Sequence, residues 1–333
     1  MRSLILIIAL LLTAVSFASV PLVPNASDDL GVQLFEKAKY APAEAHFNQL
    51  LAAGDHNIEL AHAYLAKLAI LRNDGDTALE HIDATLAIAP NLAEELTLAA
   101  EANCTKAMHA SIFSALKYGK KCGRLYTQAA EEFPTNIKAI KHAFLFHMEA
   151  PSMAGGSEKS ARKYLTKLNA VSEEDARIAN IMMATENDGQ EAGKQLAEKY
   201  FSMEFSKPEN IYELGILYRD NGEYAKAVEL FNRLTEMPNT NDSWHKKDAV
   251  FQIGEISITQ LDKPIEGIQL IEQYLETSND IYDRHYFWAR WRLARAYQDQ
   301  GDTDGYNTLI AEIESEDYSF NEPFTEQFEQ RER

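Results

Sequence analysis

The sequence predicts an all-α protein, built as a right-handed α-solenoid of about eight helix-turn-helix units. Apolar residues recur at helical spacing along most of the chain, and Gly, Asn or Pro turn signals separate the periodic segments. No segment alternates at period two between turn signals, as a half-buried strand would. We therefore expect roughly 70% or more of the mature chain to be helical. Because a short hairpin can bury its apolar stripe only against its neighbours, hairpins in series form a solenoid.

The clearest unit is the segment 210–238. It contains two short amphipathic helices, predicted at 211–219 and 224–235, with a turn signal between them. Gly215 and Ala227 are small residues twelve positions apart, which places one on each helix where the two axes must come close. The segment is therefore predicted to be a helical hairpin.

This spacing resembles the tetratricopeptide repeat, a helical hairpin of about 34 residues. The resemblance extends over residues 28–314 and implies a non-catalytic protein that presents a groove to another protein, as bacterial extracytoplasmic members of the family do. The acidic tail, 315–333, has no clear period, and we expect it to be partly disordered or to lie across the last hairpin. The other predicted hairpins are 28–51, 58–89, 92–133, 137–168, 173–201, 243–277 and 284–314.

The third hairpin, 92–133, is about ten residues longer than the repeat period allows. We place its turn near Phe113, between two extended helices. Cys104 and Cys122 are the only two cysteines, and each lies nine residues from Phe113, so they would sit level on antiparallel helices. A disulfide, which would stabilise the fold by roughly 3 kcal/mol, and a pair of buried thiols both remain possible.

The first 18 residues have the pattern of a secretory signal peptide. Arg2 precedes the apolar run 4–12, and a small-x-small sequence ends at Ala18. A membrane anchor is the alternative, but the run is shorter than the ~20 residues that a spanning helix needs. We expect a mature chain with a short lead at 19–27, no lipidation cysteine and no later membrane span. Its expected location is the periplasm or the outside of the cell.

The formal net charge of −19 bears on the partner rather than on the fold. Nucleic acid is an unsuitable partner, because such binding depends on clustered Lys and Arg. Anionic membrane surfaces are disfavoured for the same reason. The expected partner is a protein or peptide of the cell envelope.

None of the usual catalytic, phosphate-binding or metal-binding motifs occurs in the sequence. His142 and His147 are five residues apart on a predicted helix and diverge by roughly 140°, so they cannot chelate one ion together. Residues 300–312 resemble a calcium loop but have Gln300 at the first ligand position and Ala311 at the last. We expect no enzyme activity, no cofactor and no metal.

We place the partner site on the first helices of the last three hairpins, which we expect to form the concave wall. Gly215, Gly254 and Ala294 are taken as the buried small residues, and positions three before, one after and four after each are expected to face the partner. The predicted site comprises Tyr212, Ile216, Arg219, Phe251, Glu255, Trp288, Trp291 and Arg295.

Within this set, Tyr212, Phe251 and Trp291 would form an aromatic row beside Arg219 and Arg295. Aromatic and arginine side chains dominate binding hot spots, and arginines suit a carboxylate such as a chain terminus. The alternative is that Trp288 and Trp291 only cover the last hairpin against the tail, because terminal repeats need capping.

The function favoured by these observations is a non-catalytic scaffold or adaptor that holds a protein or peptide in a groove. The second reading is a binding module for a small envelope ligand, such as a glycan or a peptide fragment, that uses the aromatic C-terminal half. An enzyme is the least favoured class, because no two suitable side chains have a motif spacing.

Overall fold

The computed structural model of the protein describes residues 29–54, 57–88, 92–238, 244–278 and 280–332. These described residues are 79% helical, and no strand occurs among them. The all-α helical-repeat solenoid is therefore confirmed. The predicted signal peptide at 1–18 and the lead at 19–27 lie outside the described residues.

Seventeen α-helices occur in the described residues, and the first sixteen pair into successive hairpins. In chain order they are α1 Leu30–Glu36, α2 Tyr40–Ala53, α3 Ile58–Leu71, α4 Gly75–Ile88, α5 Ala93–Met108, α6 Ile112–Glu132, α7 Ile137–Glu149, α8 Glu158–Val171, α9 Arg177–Asp188, α10 Gln190–Phe201, α11 Pro208–Asp220, α12 Tyr224–Glu236, α13 Trp244–Thr259, α14 Pro264–Thr277, α15 Tyr286–Asp299, α16 Thr303–Glu314 and α17 Glu322–Glu329. A 3-10 turn, Ser152–Ala154, lies between α7 and α8.

The chain divides into two compact units. Unit 1 comprises the described parts of Met1–Val32 and Glu44–Glu204, which include α3 to α10. Unit 2 comprises Gln33–Ala43 together with the described part of Phe205–Arg333, which includes α11 to α17. The predicted partner residues all belong to unit 2, and the two cysteines belong to unit 1.

Turns lie where the sequence predicts them in the second, sixth and eighth hairpins. Asn73, Gly222 and Gly301 have positive φ angles of 58°, 75° and 82°. A left-handed residue reverses the chain directly after a helix, and Gly and Asn adopt this conformation at the lowest steric cost. These short signals therefore fix where each first helix ends.

Small residues allow the paired helices to approach closely. At Gly215 an added Cβ would lie 2.6 Å from the Phe231 ring, so the aromatic side chain of α12 fills the space that the glycine leaves on α11. In the seventh hairpin the backbones themselves meet, because a Cβ at Gly267 would lie 2.7 Å from the carbonyl oxygen of Gly254.

The turn of the third hairpin differs from the prediction. α5 ends at Met108 and α6 begins at Ile112, so Phe113 lies in the first turn of α6 with 88% of its surface exposed. The prediction placed two extended helices on either side of Phe113, whereas α5 has 16 residues and α6 has 21. Cys104 and Cys122 nevertheless meet and form a disulfide, with their Cα atoms 5.4 Å apart.

The acidic tail contains a helix that covers part of the last hairpin. Phe324 and Phe328 of α17 are fully buried. The ring of Phe324 lies 5.3 Å from that of Trp288, and the ring of Phe328 lies 5.3 Å from that of Trp291, both edge to face. The tail thus removes apolar surface of α15 from water.

Replacing both Cys104 and Cys122 by alanine should lower the free energy of unfolding by about 3 kcal/mol, because the disulfide closes a loop of 18 residues in the unfolded chain. Urea unfolding followed by circular dichroism measures this loss. Wild type treated with reductant is the control and should show the same loss and a mass gain of two hydrogens. Free thiols in protein isolated from an oxidising compartment would contradict the bridge.

Gly215→Ala should destabilise the sixth hairpin by roughly 1–3 kcal/mol, because the new methyl group collides with the packed Phe231 ring. Gly119→Ala in α6 is the matched control. There the added Cβ meets only Ala154 at 3.7 Å, so alanine should stabilise the helix by about 0.5–1 kcal/mol. Thermal unfolding measures both variants, and the prediction requires the melting temperature to fall for Gly215→Ala and to rise for Gly119→Ala.

Candidate functional site

The candidate site lies on α11, α13 and α15, the first helices of the three complete hairpins in unit 2. We call their common side the first-helix surface. The three side chains of the predicted aromatic row are not exposed on this surface. Tyr212, Phe251 and Trp291 are only 4%, 1% and 5% exposed. The prediction of an aromatic contact row is therefore wrong for these three side chains.

Helix geometry explains the burial. Successive residues are about 100° apart around an α-helix, so position i−3 lies only about 60° from position i. Tyr212, Phe251 and Trp291 consequently share the packed side with the small residue three positions later. Phe251 stacks on His285 with the ring centroids 4.1 Å apart, and Trp291 packs against the tail.

Two other apolar residues of the predicted site are half-buried. Ile216 lies on α11, and Trp288 lies on α15 beneath the tail residue Phe324. Trp288 therefore packs the last hairpin against the tail, which was the alternative to a partner contact. Part of its ring still faces Arg292, whose guanidinium carbon lies 5.8 Å from the ring centroid.

The charged residues of the predicted site form polar contacts between neighbouring first helices. Arg219 donates to Gln252 Oε1 at 2.6 Å, and it also pairs with Asp220 at 2.7 Å. Glu255 accepts from Arg292 Nε at 2.7 Å. Arg295 is exposed, and its guanidinium carbon lies 5.5 Å from the centroid of the Trp291 ring.

A buried polar network lies beneath these contacts and is centred on Asp248. The carboxylate of Asp248, which is 5% exposed, accepts from the hydroxyl of Tyr212. Its other oxygen lies 2.7 Å from His285 Nε2. Gln252 Nε2 lies 3.4 Å from Asp248 Oδ2 and 3.4 Å from His285 Nε2, which joins the network to Arg219.

Electrostatics hold Asp248 in its charged form. Burial alone would raise the pKa of its carboxyl group. The adjacent imidazole of His285, the charge of Arg284 and the hydroxyl of Tyr212 outweigh that effect and lower the pKa of Asp248 below its usual range. Burial and the negative charge of Asp248 together raise the pKa of Tyr212, so that its hydroxyl stays protonated and donates.

Unit 2 also holds a segment of the chain that is remote in sequence. The backbone N–H of Ala41 donates to Asp280 Oδ2 at 2.9 Å across a separation of 239 residues. Burial, followed by the carboxylates of Asp283, Asp280 and Asp248, raises the pKa of the neighbouring Tyr40. Unit 2 thus holds this remote segment by a hydrogen bond to a backbone amide, and its carboxylates act electrostatically on Tyr40.

Asp283 completes this region. It accepts hydrogen bonds from Lys247 and from the hydroxyl of Tyr274. Arg284, the next residue, is exposed, although its charge acts on Asp248, Tyr212 and Tyr40. It is therefore a cation above a buried acidic network.

Sequence reasoning missed several residues of this site, and only some of them leave a signal. Asp248 and Gln252 are polar at positions i and i+4 of α13, beside the apolar stripe, which could have indicated a polar contact. Arg292 lies one turn after Trp288 and could have been included. Tyr40 and Asp280 meet only through the tertiary fold, so no local pattern marks them.

Unit 1 contains buried carboxylates on its own first helices. Glu95 of α5 is 0% exposed, neither carboxylate oxygen has a hydrogen-bond partner in the described residues, and burial raises its pKa to about 7. Glu101 lies 3.6 Å from His142 Nδ1, and burial lowers the pKa of that imidazole well below its usual range. These groups are packed inside the fold and offer no exposed chemistry.

Within the described ranges, no cluster of three or more His, Cys, Asp and Glu side chains could hold a metal ion. Among the same residues, no helix is both long enough and apolar enough to span a bilayer. His147, which the sequence paired with His142, stacks on Tyr164 with the ring centroids 5.6 Å apart.

The family model of the tetratricopeptide repeat matches residues 209–240, which contain all of the α11–α12 hairpin except Pro208. The chain has the tetratricopeptide-repeat fold. Yeast Tom70 superposes on 94% of the chain with a TM-score of 0.58 at 16% identity, and the chain covers 67% of Tom70. At that identity the likeness concerns the fold alone. No curated protein is significantly similar to the chain in sequence.

Two further solved structures of helical-repeat proteins are more distant. Cut9, from the Cut9–Hcn1 hetero-tetramer of the APC/C, matches 89% of the chain at 12% identity with a TM-score of 0.43, and the chain covers 54% of it. Human IFIT1, solved with m7Gppp-AAAA, matches 85% of the chain at 14% identity with a TM-score of 0.42, and the chain covers 66% of it. Neither likeness carries functional weight at these scores.

Asp248→Asn should lower the free energy of unfolding by about 3–5 kcal/mol, because it removes one partner of a buried charged pair. Asp220→Asn is the control and should cost less than ~1 kcal/mol, since Asp220 is exposed and meets Arg219 at the surface. Urea unfolding at pH 7 compares the two variants, and equal losses would contradict the buried network.

The stability difference between wild type and Asp248→Asn should also depend on pH in a predictable direction. The folded-state pKa of Asp248 lies below its unfolded value, so its contribution is complete above about pH 4 and is lost as the pH falls through the folded-state value. The stability difference between wild type and Asp248→Asn should therefore shrink below about pH 4.

Proposed function

We propose that this chain is a non-catalytic scaffold or adaptor of the cell envelope, and that it binds a protein or peptide partner on the first-helix surface of unit 2. The tetratricopeptide-repeat fold supports an interaction role, since such hairpins stack into extended surfaces. The signal-peptide pattern at 1–18 supports an extracytoplasmic address, the periplasm in a bacterium.

One observation carries the choice of surface. Five arginines, Arg219, Arg284, Arg290, Arg292 and Arg295, lie on or beside the first helices of unit 2, in a chain with 51 acidic residues against 32 Lys and Arg. Arg290 pairs with Glu312 of α16 at 3.6 Å. Arg284 and Arg295 are exposed and can meet a partner directly, whereas Arg219 and Arg292 are half-buried and hold the surface in place through Gln252 and Glu255.

The arginines favour a partner segment that carries carboxylates, such as an acidic peptide or a chain terminus. Guanidinium groups bind carboxylates through two parallel hydrogen bonds, which gives geometry as well as charge. The bond from Ala41 to Asp280 supports a second mode, in which carboxylates of unit 2 accept backbone amides of a bound polypeptide.

Changing both exposed arginines, Arg284→Glu and Arg295→Glu, should reduce capture of the envelope partner by at least tenfold. Affinity purification of the tagged chain from an envelope extract measures retention, and the mass of the recovered chain should place its first residue at Ser19. Arg295→Glu alone should leave the melting temperature nearly unchanged, because Arg295 is exposed. Arg284→Glu removes a cation that holds the Asp248 carboxylate in its charged form and should lower the melting temperature. The single Arg295→Glu variant should also weaken capture, which keeps the test independent of folding.

Lys194→Glu with Lys199→Glu is the matched control. Both lysines are exposed on α10 of unit 1, so the double variant makes the same change of charge away from the proposed surface and should keep its partner. Equal loss in both double variants, or normal capture by the arginine variant, would contradict the proposed surface. A metabolite that raises the melting temperature of partner-free protein would favour the small-ligand module instead.

A further inference from the structure

The first part of α6, in unit 1, presents a basic face in an otherwise acidic chain. Its first carboxylate is Glu131, so residues 112–130 contain no acidic side chain. Four basic side chains of this segment are exposed: Lys117, Lys120, Lys121 and Arg124. This segment is therefore positively charged, although the whole chain has a net negative charge.

These side chains lie on one side of the helix. At about 100° per residue, Phe113, Lys117, Lys120, Lys121 and Arg124 fall within an arc of about 100°. The opposite side packs into unit 1 through Cys122 and Tyr126, which are 0% and 6% exposed. A flat surface can therefore touch Phe113 and all four cations at once.

Among the described residues, no carboxylate neutralises the charges on this face. Within the residues that the structure describes, none of the four basic side chains pairs with a carboxylate, and Lys117 contacts only the neighbouring Tyr118 ring, at 5.4 Å. Some lysines elsewhere in unit 1 do pair with carboxylates. Lys163 and Lys167, for example, both pair with Glu131, at 2.7 Å and 3.0 Å.

Exposed apolar side chains adjoin the basic face. Ile112 and Phe113 begin α6 and are 67% and 88% exposed. Met153, 54% exposed, lies on the 3-10 turn that packs beside α6, where a Cβ at Gly119 would meet Ala154 at 3.7 Å. Gly119 lies about 150° around the helix from the centre of the basic arc, so Met153 lies off the basic face, and Ile112 and Phe113 are the exposed apolar side chains next to it.

We propose that this face docks on an anionic lipid surface, with Ile112 and Phe113 inserted among the headgroups and the four basic residues held against them. Basic residues beside exposed aromatic and aliphatic side chains are the arrangement by which helices bind membrane interfaces without spanning them. The inference is independent of the partner surface on unit 2.

The geometry selects lipid over the other anionic partners. A phenylalanine that is 88% exposed projects from the surface and does not line a depression, so it suits a fluid layer better than the surface of a protein. An aliphatic side chain such as Ile112 inserts into a lipid interface but does not stack on bases as nucleic acid binding requires.

The net charge of −19 does not prevent this contact. Screening limits charge interactions to about 8 Å at physiological ionic strength, so an anionic surface that touches α6 is affected mainly by the nearest side chains. The disulfide from Cys122 to Cys104 fixes the middle of α6 to α5, which keeps the face in position.

Co-flotation with vesicles tests the proposal on the chain as isolated from cells. Wild type should bind vesicles of phosphatidylglycerol and phosphatidylcholine more tightly than vesicles of phosphatidylcholine alone, and added salt should remove the difference. Lys120→Glu with Lys121→Glu should reduce anionic-vesicle binding at least tenfold, since one basic residue at such a surface contributes about fivefold. Phe113→Ser should also weaken binding.

Two controls match these variants. Lys194→Glu with Lys199→Glu repeats the charge change on α10, and Ile265→Ser removes another exposed apolar residue, 70% exposed on α14. Both should bind as wild type does. Equal affinity for the two vesicle types, equal loss in the controls, or binding of polyglutamate or single-stranded nucleic acid without binding of vesicles would overturn the proposal.

Discussion

Close approach of the two helices within a hairpin is the constraint on which the rest of the structure depends. Gly31 leaves room for the Phe47 ring, Gly215 for the Phe231 ring, and Gly254 and Gly267 allow two backbones to meet. A hairpin packed this tightly still exposes one apolar side, which the next first helix must cover. The order of the hairpins and the location of the first helices follow from that requirement.

Most of the fold could be predicted because its determinants are local. Asn73, Gly222 and Gly301 mark turns by a backbone conformation that few residues adopt, and the apolar spacing between them has the helical period. The third hairpin shows the limit of this reasoning. Its connection, residues 109–111, contains no Gly, Asn or Pro, so the prediction placed the turn near Phe113, three residues after the centre of the connection.

The candidate site was less predictable, because burial depends on elements that are distant in sequence. The tail helix α17 covers Trp288 and Trp291, which the sequence offered only as an alternative because the tail has no clear period. Ala41 reaches Asp280 across 239 residues. The aromatic row failed for a simpler reason, since position i−3 lies too near the buried face of a helix to be exposed.

Charge links the two surfaces proposed for this protein. With 51 acidic residues against 32 Lys and Arg, a basic side chain has many possible partners, and Lys163 and Lys247 each find one. A basic face whose side chains have no such pairs must therefore be explained by the positions of the nearby residues in the sequence. On α6 the cause is the absence of any carboxylate over 112–130, a property of sequence order that neither net charge nor composition contains. The location of a cation, more than the total charge, decides which anion this chain can bind.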